Sequence, residues 1–356
     1  MGSDAATGSD QRITRLAFLT PGNYPDDDPA TGLEDTLRLF EYGEALGFVG
    51  AWIRQSLLEH GVGSAAVFLA AAAQRTRRVE LGAAVIPIGY ESPFRLAEDL
   101  SMADVLSGGR LQPGFSAGVP PHADLIGHRV FDGDWRAYDL SYGRIERLID
   151  NLRGEYLGDP DTVIESPGNI QRPRLQPYSP GLIDRLWYGG GSLRSVRWAA
   201  RHGLNLLTGN VVFADRSDDF TTTQLDLVRE YRAGVPADRS ARLALGRVVV
   251  PLDSADRATR ERYRRYAANR HERTLRPNGE RRVMFAPDLV GTAEEIVERL
   301  RADPVFAHTT ELRLELPYEF RRDDYEQILH DTVTAIAPRL GWRPSVDTAS
   351  PVEAAK

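Results

Sequence analysis

The chain is 356 residues long, has no cysteine, and contains a single lysine, Lys356, among its 44 basic residues. Without cysteine it has no disulfide, thiolate nucleophile, iron–sulfur cluster or cysteine-ligated zinc, and without an internal lysine it has no Schiff-base lysine and no lysine-containing phosphate loop. The net charge of −7 argues against a nucleic-acid partner. Any anionic ligand must therefore be held by arginine, hydroxyls, backbone N–H groups or a helix N-terminus.

The two ends of the chain are polar and show no hydrophobic periodicity. Residues 1–10 have neither the positive segment nor the apolar core of a secretory signal, and the longest apolar run, 65–73, is too short to cross a bilayer. We therefore expect a cytoplasmic protein with no membrane partner and with disordered tails at 1–12 and 343–356.

Between these tails, apolar strand-like runs alternate with amphipathic helical stretches. The predicted strands are 13–20, 48–53, 79–88, 111–116, 186–188, 204–207, 243–250 and 311–316. The predicted helices are 33–46, 64–75, 93–108, 138–153, 193–202, 222–232, 255–270, 292–301 and 323–338. This order predicts the α/β class and one domain at 13–342 with the size of a (β/α)8 TIM barrel, although a doubly wound open sheet fits the same alternation.

Two predicted connections are longer than loops in compact domains usually are. They cover 117–137 and 275–291, and the second contains the turn sequence Pro277-Asn278-Gly279. Long loops of this kind are often functional, so we expect these insertion loops to form a lid over a site.

The segment Gly114-Phe115-Ser116-Ala117-Gly118 matches G-x-S-x-G, the nucleophile elbow of α/β-hydrolases. An elbow needs a helix directly after the serine, and here two prolines, at 120 and 121, prevent one. The motif therefore favours a strand end with small residues, where a ligand or a neighbouring backbone comes close, over a hydrolase.

The segment Gly189-Gly190-Gly191-Ser192 lies between a predicted strand and a predicted helix. It is not the dinucleotide fingerprint, because Arg194 stands where the third glycine would be. A glycine-rich turn that presents N–H groups at a helix N-terminus, with the hydroxyls of Ser192 and Ser195 beside it, can bind an anion without lysine. A plain turn with Ser192 as the N-cap of the helix explains the same residues.

Histidine and tryptophan give weaker indications. The seven histidines form no H-x-H or H-E-x-x-H pair, so the sequence predicts no metal site. His60 and His122 lie in predicted loops beside acidic residues and are candidates to line a site. Trp52, near the end of the second strand, belongs either to the core or to a substrate pocket.

Several segments, taken together and in this order, resemble the bacterial luciferase-like flavin-dependent monooxygenase family. They are RTRRVELGAAV at 75–85, SPFRLAED at 92–99, DVLSGGR at 104–110, and LWYGGGS at 186–192, continued by Ser195 and by WAARHG at 198–203. The resemblance extends over about 13–342. It implies a luciferase-like (β/α)8 barrel with an insertion near the seventh unit. It also implies that reduced FMN, or in some branches the deazaflavin F420, binds at the C-terminal ends of the strands.

The resemblance also implies roles for individual residues. Ala84 and Val85 correspond to a non-prolyl cis peptide behind the flavin ring, and Ser116 to the residue near its reactive carbon. Gly190, Gly191, Ser192 and Ser195 correspond to the phosphate site, which agrees with the anion-binding turn inferred above, and Arg144 is expected to assist there.

Two positions depart from the family pattern. Ser56 stands at the position of the catalytic histidine after the tryptophan of the second strand, and Ala117 stands where luciferase has a phosphate-binding arginine. The general base is therefore open, with His60 and His122 as candidates, while Trp52 and Ser56 are expected in the substrate pocket.

The function implied by the resemblance is that of a flavoprotein monooxygenase. Reduced FMN, supplied by a separate flavin reductase, reacts with O2 to give a C4a-peroxyflavin that oxygenates a small organic substrate. The absence of a nicotinamide fingerprint fits a partner reductase, and the arginine excess is typical of high-GC genomes, in which such enzymes often act in secondary metabolism. F420-dependent hydride transfer and a non-catalytic flavin-binding homologue are the alternatives, and a homodimer is expected.

Overall fold

A computed structural model describes residues 12–344, so the predicted tails lie almost entirely outside the described residues. Eight parallel strands close into a barrel, which confirms the predicted (β/α)8 fold and excludes the open sheet. In chain order the strands are β1 (Arg15–Thr20), β2 (Gly50–Ile53), β3 (Glu80–Pro87), β4 (Leu111–Ser116), β5 (Trp187–Gly189), β6 (Asn205–Thr208), β7 (Leu243–Arg247) and β8 (Glu311–Glu315). Each strand pairs with the next one, and β8 pairs with β1 to complete the barrel.

Helices connect the strands, and most of them have the predicted positions. They are α1 (Pro29–Ala45), α2 (Ala65–Arg75), α3 (Pro93–Ser107), α4 (Ala123–Val130), α5 (Gly143–Leu152), α6 (Leu193–Arg201), α7 (Phe220–Gly234), α8 (Arg257–His271), α9 (Ala293–Ala302) and α10 (Arg322–Asp331). Among residues 12–344, no helix combines the length and the hydropathy that a bilayer crossing requires.

The structure differs from the predicted elements mainly in the long connections. The predicted strand 243–250 is divided, because the chain leaves the barrel after Arg247 and Val249–Pro251 pairs with Leu289–Gly291 instead. The two predicted loops also contain regular structure. The first includes α4, and the second includes Val283–Phe285, which pairs antiparallel with Val211–Phe213.

Strand β8 shows how the sequence divides between the barrel interior and the helix layer. Leu312 and Leu314 are buried in the large apolar core that the strands share with the surrounding helices. Because successive side chains of a strand point to opposite faces, the intervening Glu311, Arg313 and Glu315 point into the barrel. The interior of this barrel therefore contains charged side chains in three successive layers of β8.

The N-terminal layer of the interior is a set of ion pairs. Arg15 Nη2 lies 2.6 Å from Glu80 Oε1, and Arg242 Nη2 lies 3.0 Å from Glu80 Oε2. Glu311 Oε2 completes the set at 2.8 Å from Arg242 Nη2 and 3.3 Å from Arg15 Nε. Two cations and two anions are balanced here, so the charges of this layer cancel.

The middle layer of the interior consists of two tryptophans and an arginine. The rings of Trp52 and Trp187 meet edge to face at 5.4 Å, and the Arg313 guanidinium lies 4.0 Å from the centroid of Trp52. Glycine at position 82 makes room for this packing, since a Cβ there would lie 2.0 Å from Trp52 Cδ2. This layer forms the floor beneath the C-terminal mouth of the barrel.

Candidate active site

A cavity of about 570 Å³ opens at the C-terminal mouth of the barrel. Residues of six strands line it, together with residues from the connections after β2, β5, β6, β7 and β8. Its apolar lining consists of Leu19, Ala84, Val85, Leu207, Val211, Phe213, Ala244, Val248, Phe285, Leu316 and Pro317. Active sites of (β/α)8 enzymes lie at this end of the barrel, so this cavity is the candidate active site.

One wall of the cavity is formed by the bulged end of β3. The peptide bond between Ala84 and Val85 is cis, as the family resemblance implied, and both residues line the cavity. The register between β3 and β4 shifts between Ala83 and Ile86, so the cis peptide lies at an irregularity of the barrel. Gly189 faces it from β5, because a Cβ on Gly189 would lie 3.0 Å from Val85 Cγ1.

The glycine turn after β5 forms the adjoining wall. Gly189, Gly190 and Gly191 all line the cavity. A Cβ on Gly190 would lie 2.7 Å from Leu206 Cδ1, and one on Gly191 would lie 3.2 Å from the Phe213 ring. Glycine is therefore needed for the turn to pack this closely, and its backbone faces the cavity without side chains in between.

The two serines of the turn cap helix α6 and each other. Ser195 N–H donates to Ser192 Oγ at 3.3 Å, Ser192 N–H donates to Ser195 Oγ at 3.0 Å, and the Ser195 hydroxyl donates to Ser192 O at 2.7 Å. The hydroxyl proton of Ser192 remains available to a ligand, whereas Ser195 has used both its donor and an acceptor position. Ser195 therefore positions the turn.

An acidic side chain occupies part of the same helix terminus. The Leu193 N–H donates to Asp215 Oδ2 at 2.7 Å, and Asp215 is exposed. A carboxylate at a helix N-terminus stabilises the helix, but it also repels a second anion at that place. The predicted anion site therefore consists of the glycine turn and Ser192, and one of the expected N–H donors is already paired.

Among the described residues, the cavity is lined by one carboxyl group, that of Glu315 at the end of β8. Glycine at positions 209 and 246 leaves room for it, since a Cβ there would lie 2.6 Å and 2.1 Å from Glu315 Oε1. Its nearest donor is the Asn210 N–H, 3.4 Å from Oε1. Burial raises the pKa of the Glu315 carboxyl, and the Arg313 guanidinium opposes this rise only in part.

The sequence did not identify Glu315 as a site residue, although it contained a signal. Strands of a parallel barrel are covered on the outside by helices and usually read as continuous apolar runs. The sequence Glu311-Leu312-Arg313-Leu314-Glu315 instead places a charge at every second position. That alternation indicates a row of charged side chains inside the barrel, and the last of them lies at the C-terminal mouth.

The two candidate histidines lie outside the cavity. His60 is exposed, stacks on Tyr24, and has its Nε2 3.3 Å from Asp26 Oδ1. His122 is exposed at the residue before α4 and has a positive φ of 62°. Neither side chain lines the cavity, so the structure does not bring either predicted base to the candidate active site.

Arg144 does not line this cavity either. It is buried, its Nε donates to Ile88 O at 3.3 Å, its Nη1 donates to Asp139 O at 3.4 Å, and its Nη2 donates to Glu91 O. All three nitrogens are used by backbone carbonyls, so Arg144 fixes the connection after β3. The phosphate contact of Arg144 stays a prediction.

Three further predicted residues do not line the cavity. Trp52 has no exposed surface and belongs to the floor layer, which corrects its placement in a substrate pocket. Ser56 is also buried, and its Oγ has no hydrogen-bond partner within the described part of the chain. Ser116 is half-buried at the end of β4, where it pairs with Pro87 of β3.

Comparison with known sequences identifies the family. The family model for luciferase-like monooxygenases matches residues 14–306, and the chain belongs to this family of oxidoreductases. A limonene 1,2-monooxygenase of Rhodococcus erythropolis is 34% identical over 144 residues, which cover 39% of this chain and 36% of the relative. A 4-hydroxyprotoasukamycin monooxygenase of Streptomyces nodosus subsp. asukaensis is 35% identical over 123 residues, which cover 33% of this chain and 32% of the relative. The chain thus spans about a third of the length of each of these relatives.

Solved structures share the fold along almost their whole length. The monooxygenase RslO1 from Streptomyces bottropensis has a TM-score of 0.67 at 20% identity and covers 91% of this chain and 99% of its own. The oxygenating constituent of 3,6-diketocamphane monooxygenase from Pseudomonas putida, solved with FMN, has a TM-score of 0.61 at 15% identity, with coverages of 92% and 98%. An F420-dependent secondary alcohol dehydrogenase has a TM-score of 0.55 at 15% identity, with coverages of 89% and 98%.

Proposed function

We propose that this protein is a flavin-dependent monooxygenase that uses reduced FMN, delivered by a separate flavin reductase, and O2 to oxygenate a small organic substrate such as a secondary-metabolite intermediate. The observation that carries the proposal is the cavity at the barrel mouth, which has the cis peptide of Ala84 and Val85 on one wall and the glycine turn Gly189–Gly191 on the next. Family membership supports the same reaction class.

The cavity fits a flavin in size and in the character of its walls. A volume of about 570 Å³ lies within the range of cofactor sites, and the lining combines apolar side chains and glycines with polar and charged groups. We assign Ala84 and Val85 to the flavin ring, and the backbone of Gly190 and Gly191 with the Ser192 hydroxyl to the phosphate. The bound cofactor supplies the electrons that activate O2.

We assign the proton-handling role to Glu315. Its carboxyl is the acid that lines the cavity, and its raised pKa allows it to be protonated closer to neutral pH than an ordinary glutamate. Glu315 Oε1 accepts a hydrogen bond from the Asn210 N–H, so we assign proton exchange with a bound substrate to the other oxygen. Glu315 would thus take the proton-handling role of the histidine that Ser56 replaces in this chain.

The long connection at 275–291 is suited to exclude water from the site. Its strand Val283–Phe285 pairs with Val211–Phe213, and Phe285 and Phe213 both line the cavity. We propose that this segment forms the lid, because an apolar cover over the mouth protects oxygen-activating chemistry from solvent. The connection at 117–137 contributes no lining residue to the main cavity within the described chain, so its lid role rests on its length alone.

We also propose a homodimer that uses the adjacent helices α2 and α3. Val67 on α2 is 71% exposed, and Met102, Val105 and Leu106 on α3 are each 50% exposed. Neighbouring apolar side chains on an outer helix layer are typical of an interface. Analytical ultracentrifugation tests this proposal, and a monomer at micromolar concentration contradicts it.

Isotopically labelled O2 tests the proposed reaction. The protein is first loaded with reduced FMN under anaerobic conditions. It is then mixed with labelled O2 and a panel of candidate substrates, and the masses of the products are measured by mass spectrometry. One labelled oxygen atom per product molecule supports the proposal. Unlabelled products, or products that form equally fast without the protein, contradict it.

A second candidate is F420-dependent hydride transfer on the same fold, which the similarity to an F420-dependent alcohol dehydrogenase favours. In that case reduced F420 binds more tightly than reduced FMN, and the substrate is reduced without O2. A non-catalytic flavin-binding role is a third candidate, and substrate turnover in either experiment excludes it.

A further inference from the structure

A wall of the cavity formed by α8 and the turn after it has unused hydrogen-bonding groups. Tyr266, Arg270 and Arg273 line the cavity here. Tyr266 is 4% exposed, and its hydroxyl has no hydrogen-bond partner in the described part of the chain. A buried hydroxyl without a partner costs free energy in the free protein, so a ligand that accepts its hydrogen bond is favoured.

The same wall carries an unpaired positive charge. Arg270 is neutralised by Asp288, with Nε 2.7 Å from Asp288 Oδ2. Arg273 has no ion-pair partner among residues 12–344, and its Nε is buried without a hydrogen bond. Burial and the neighbouring Arg270 lower the pKa of the Arg273 guanidinium, but arginine remains protonated at neutral pH.

The other cavity-lining arginines already have anionic neighbours. Arg54 Nη1 lies 2.9 Å from Glu59 Oε2, and Arg313 Nη2 lies 3.9 Å from Glu311 Oε1. Arg273 is therefore the cavity-lining arginine whose guanidinium has no carboxylate within ion-pair distance in the described part of the chain. The wall formed by α8 thus offers a cationic side chain to a ligand, whereas the glycine turn offers backbone N–H groups beside the exposed Asp215.

One side of the Arg273 guanidinium is covered by an aromatic ring. Its guanidinium lies 4.2 Å from the centroid of Phe285, and Phe213 and Val248 line the cavity nearby. A ligand that reaches Arg273 from the cavity must therefore combine an apolar body with an oxyanion. A carboxylate suits this site, because guanidinium and phenol groups donate to its two oxygens in charge-assisted hydrogen bonds.

We infer that Arg273 and Tyr266 form a binding site for the carboxylate of an apolar organic acid, which is the substrate class of this cavity. The inference rests on the proposed function for the identity of the substrate site. The phosphate of the cofactor is the other possible source of an oxyanion. It is the less favoured source because the glycine turn already offers a separate anion site.

Calorimetric titration with benzoate and its neutral analogue benzamide tests the site. Both probes are titrated into the FMN-loaded protein and into the protein without flavin. We expect benzoate to bind at least tenfold more tightly than benzamide, since only benzoate carries the anion. The variant R273Q should lose this preference, and Y266F should weaken benzoate binding severalfold while FMN affinity stays within twofold of wild type.

Arg265 provides the matched control, because it is exposed on α8 and does not line the cavity. R265Q should keep the wild-type preference, and R273K should retain part of it, which separates a charge effect from a folding defect. Equal binding of both probes by wild type, or an unchanged preference in R273Q, overturns the inference. Tenfold weaker FMN binding by R273Q with unchanged benzoate binding also overturns it and assigns Arg273 to the cofactor. Failure of the protein to bind FMN refutes the proposed function, and the flavin-free titration still decides the carboxylate site.

Discussion

Replacing Glu315 by glutamine is expected to change stability and turnover in opposite directions. In the wild type, burial raises the pKa of the Glu315 carboxyl above its ordinary value of 4.5. Below about pH 4 the carboxyl is protonated in both the folded and the unfolded chain, so its ionisation does not lower the free energy of unfolding. As the pH rises through 4.5, the unfolded chain loses the proton first, and the free energy of unfolding falls until the folded carboxyl also ionises.

Glutamine removes this penalty and keeps the shape of the side chain and an oxygen for the Asn210 N–H. Each unit by which the pKa is raised corresponds to about 1.4 kcal/mol, and about 1 kcal/mol shifts the melting temperature of a domain this large by roughly 2 °C. E315Q should therefore melt at a higher temperature than wild type at pH 8, by roughly 3 °C for each unit by which the pKa is raised, and at nearly the same temperature at pH 4. Turnover should fall by about 10²-fold or more, because the proton-handling group is lost.

Differential scanning calorimetry at a series of pH values measures the first effect without a known substrate. Glu319 is exposed in the connection after β8, so E319Q is the control for the loss of one negative charge. If the melting temperature of E315Q differs from that of wild type by the same amount at pH 4 and at pH 8, the pKa of the Glu315 carboxyl is not raised. Full turnover by E315Q refutes its role in proton handling.

Two further predictions concern the glycine turn and the barrel floor. D215N removes the negative charge that accepts from the Leu193 N–H. FMN should therefore bind about two- to fivefold more tightly at low ionic strength, and this gain should disappear at 1 M salt. A fluorescence titration that shows unchanged or weaker FMN binding contradicts the phosphate assignment. G82A places a Cβ 2.0 Å from Trp52 Cδ2 and should destabilise the protein by about 1–3 kcal/mol in urea unfolding. A methyl group on Gly63 would have no neighbour closer than 4.0 Å, so G63A is the control, and equal stability of the two variants disproves the tight floor layer.

The barrel could be predicted because its signals are local. Alternating apolar runs and amphipathic stretches determine strands and helices one at a time, and the predicted order matches the closed barrel. Helix α4 was missed because it is short and follows two prolines. The division of the predicted strand 243–250 was missed because periodicity does not show where a strand leaves one sheet to join another.

The site could be predicted only where one segment supplies it. The cis peptide between Ala84 and Val85 was implied by the family resemblance, and the glycine turn was visible as a run of consecutive residues. Contacts between distant segments were not accessible in this way. Asp215 reaches the helix terminus from 22 positions away, and Glu315 reaches the cavity only because β8 closes the barrel against β1. The loop histidines were candidates by chemistry alone, and the course of their loops places them at the surface.

The most direct test of the central claim is an anaerobic titration of the protein with reduced FMN, followed by tryptophan fluorescence. Trp52 and Trp187 lie in the layer beneath the cavity, so a flavin bound there should quench their emission. We predict saturable quenching at one FMN per chain, with an affinity tighter than that of reduced F420. Absence of quenching at millimolar FMN, or tighter binding of F420, contradicts the assignment of this cavity to reduced FMN.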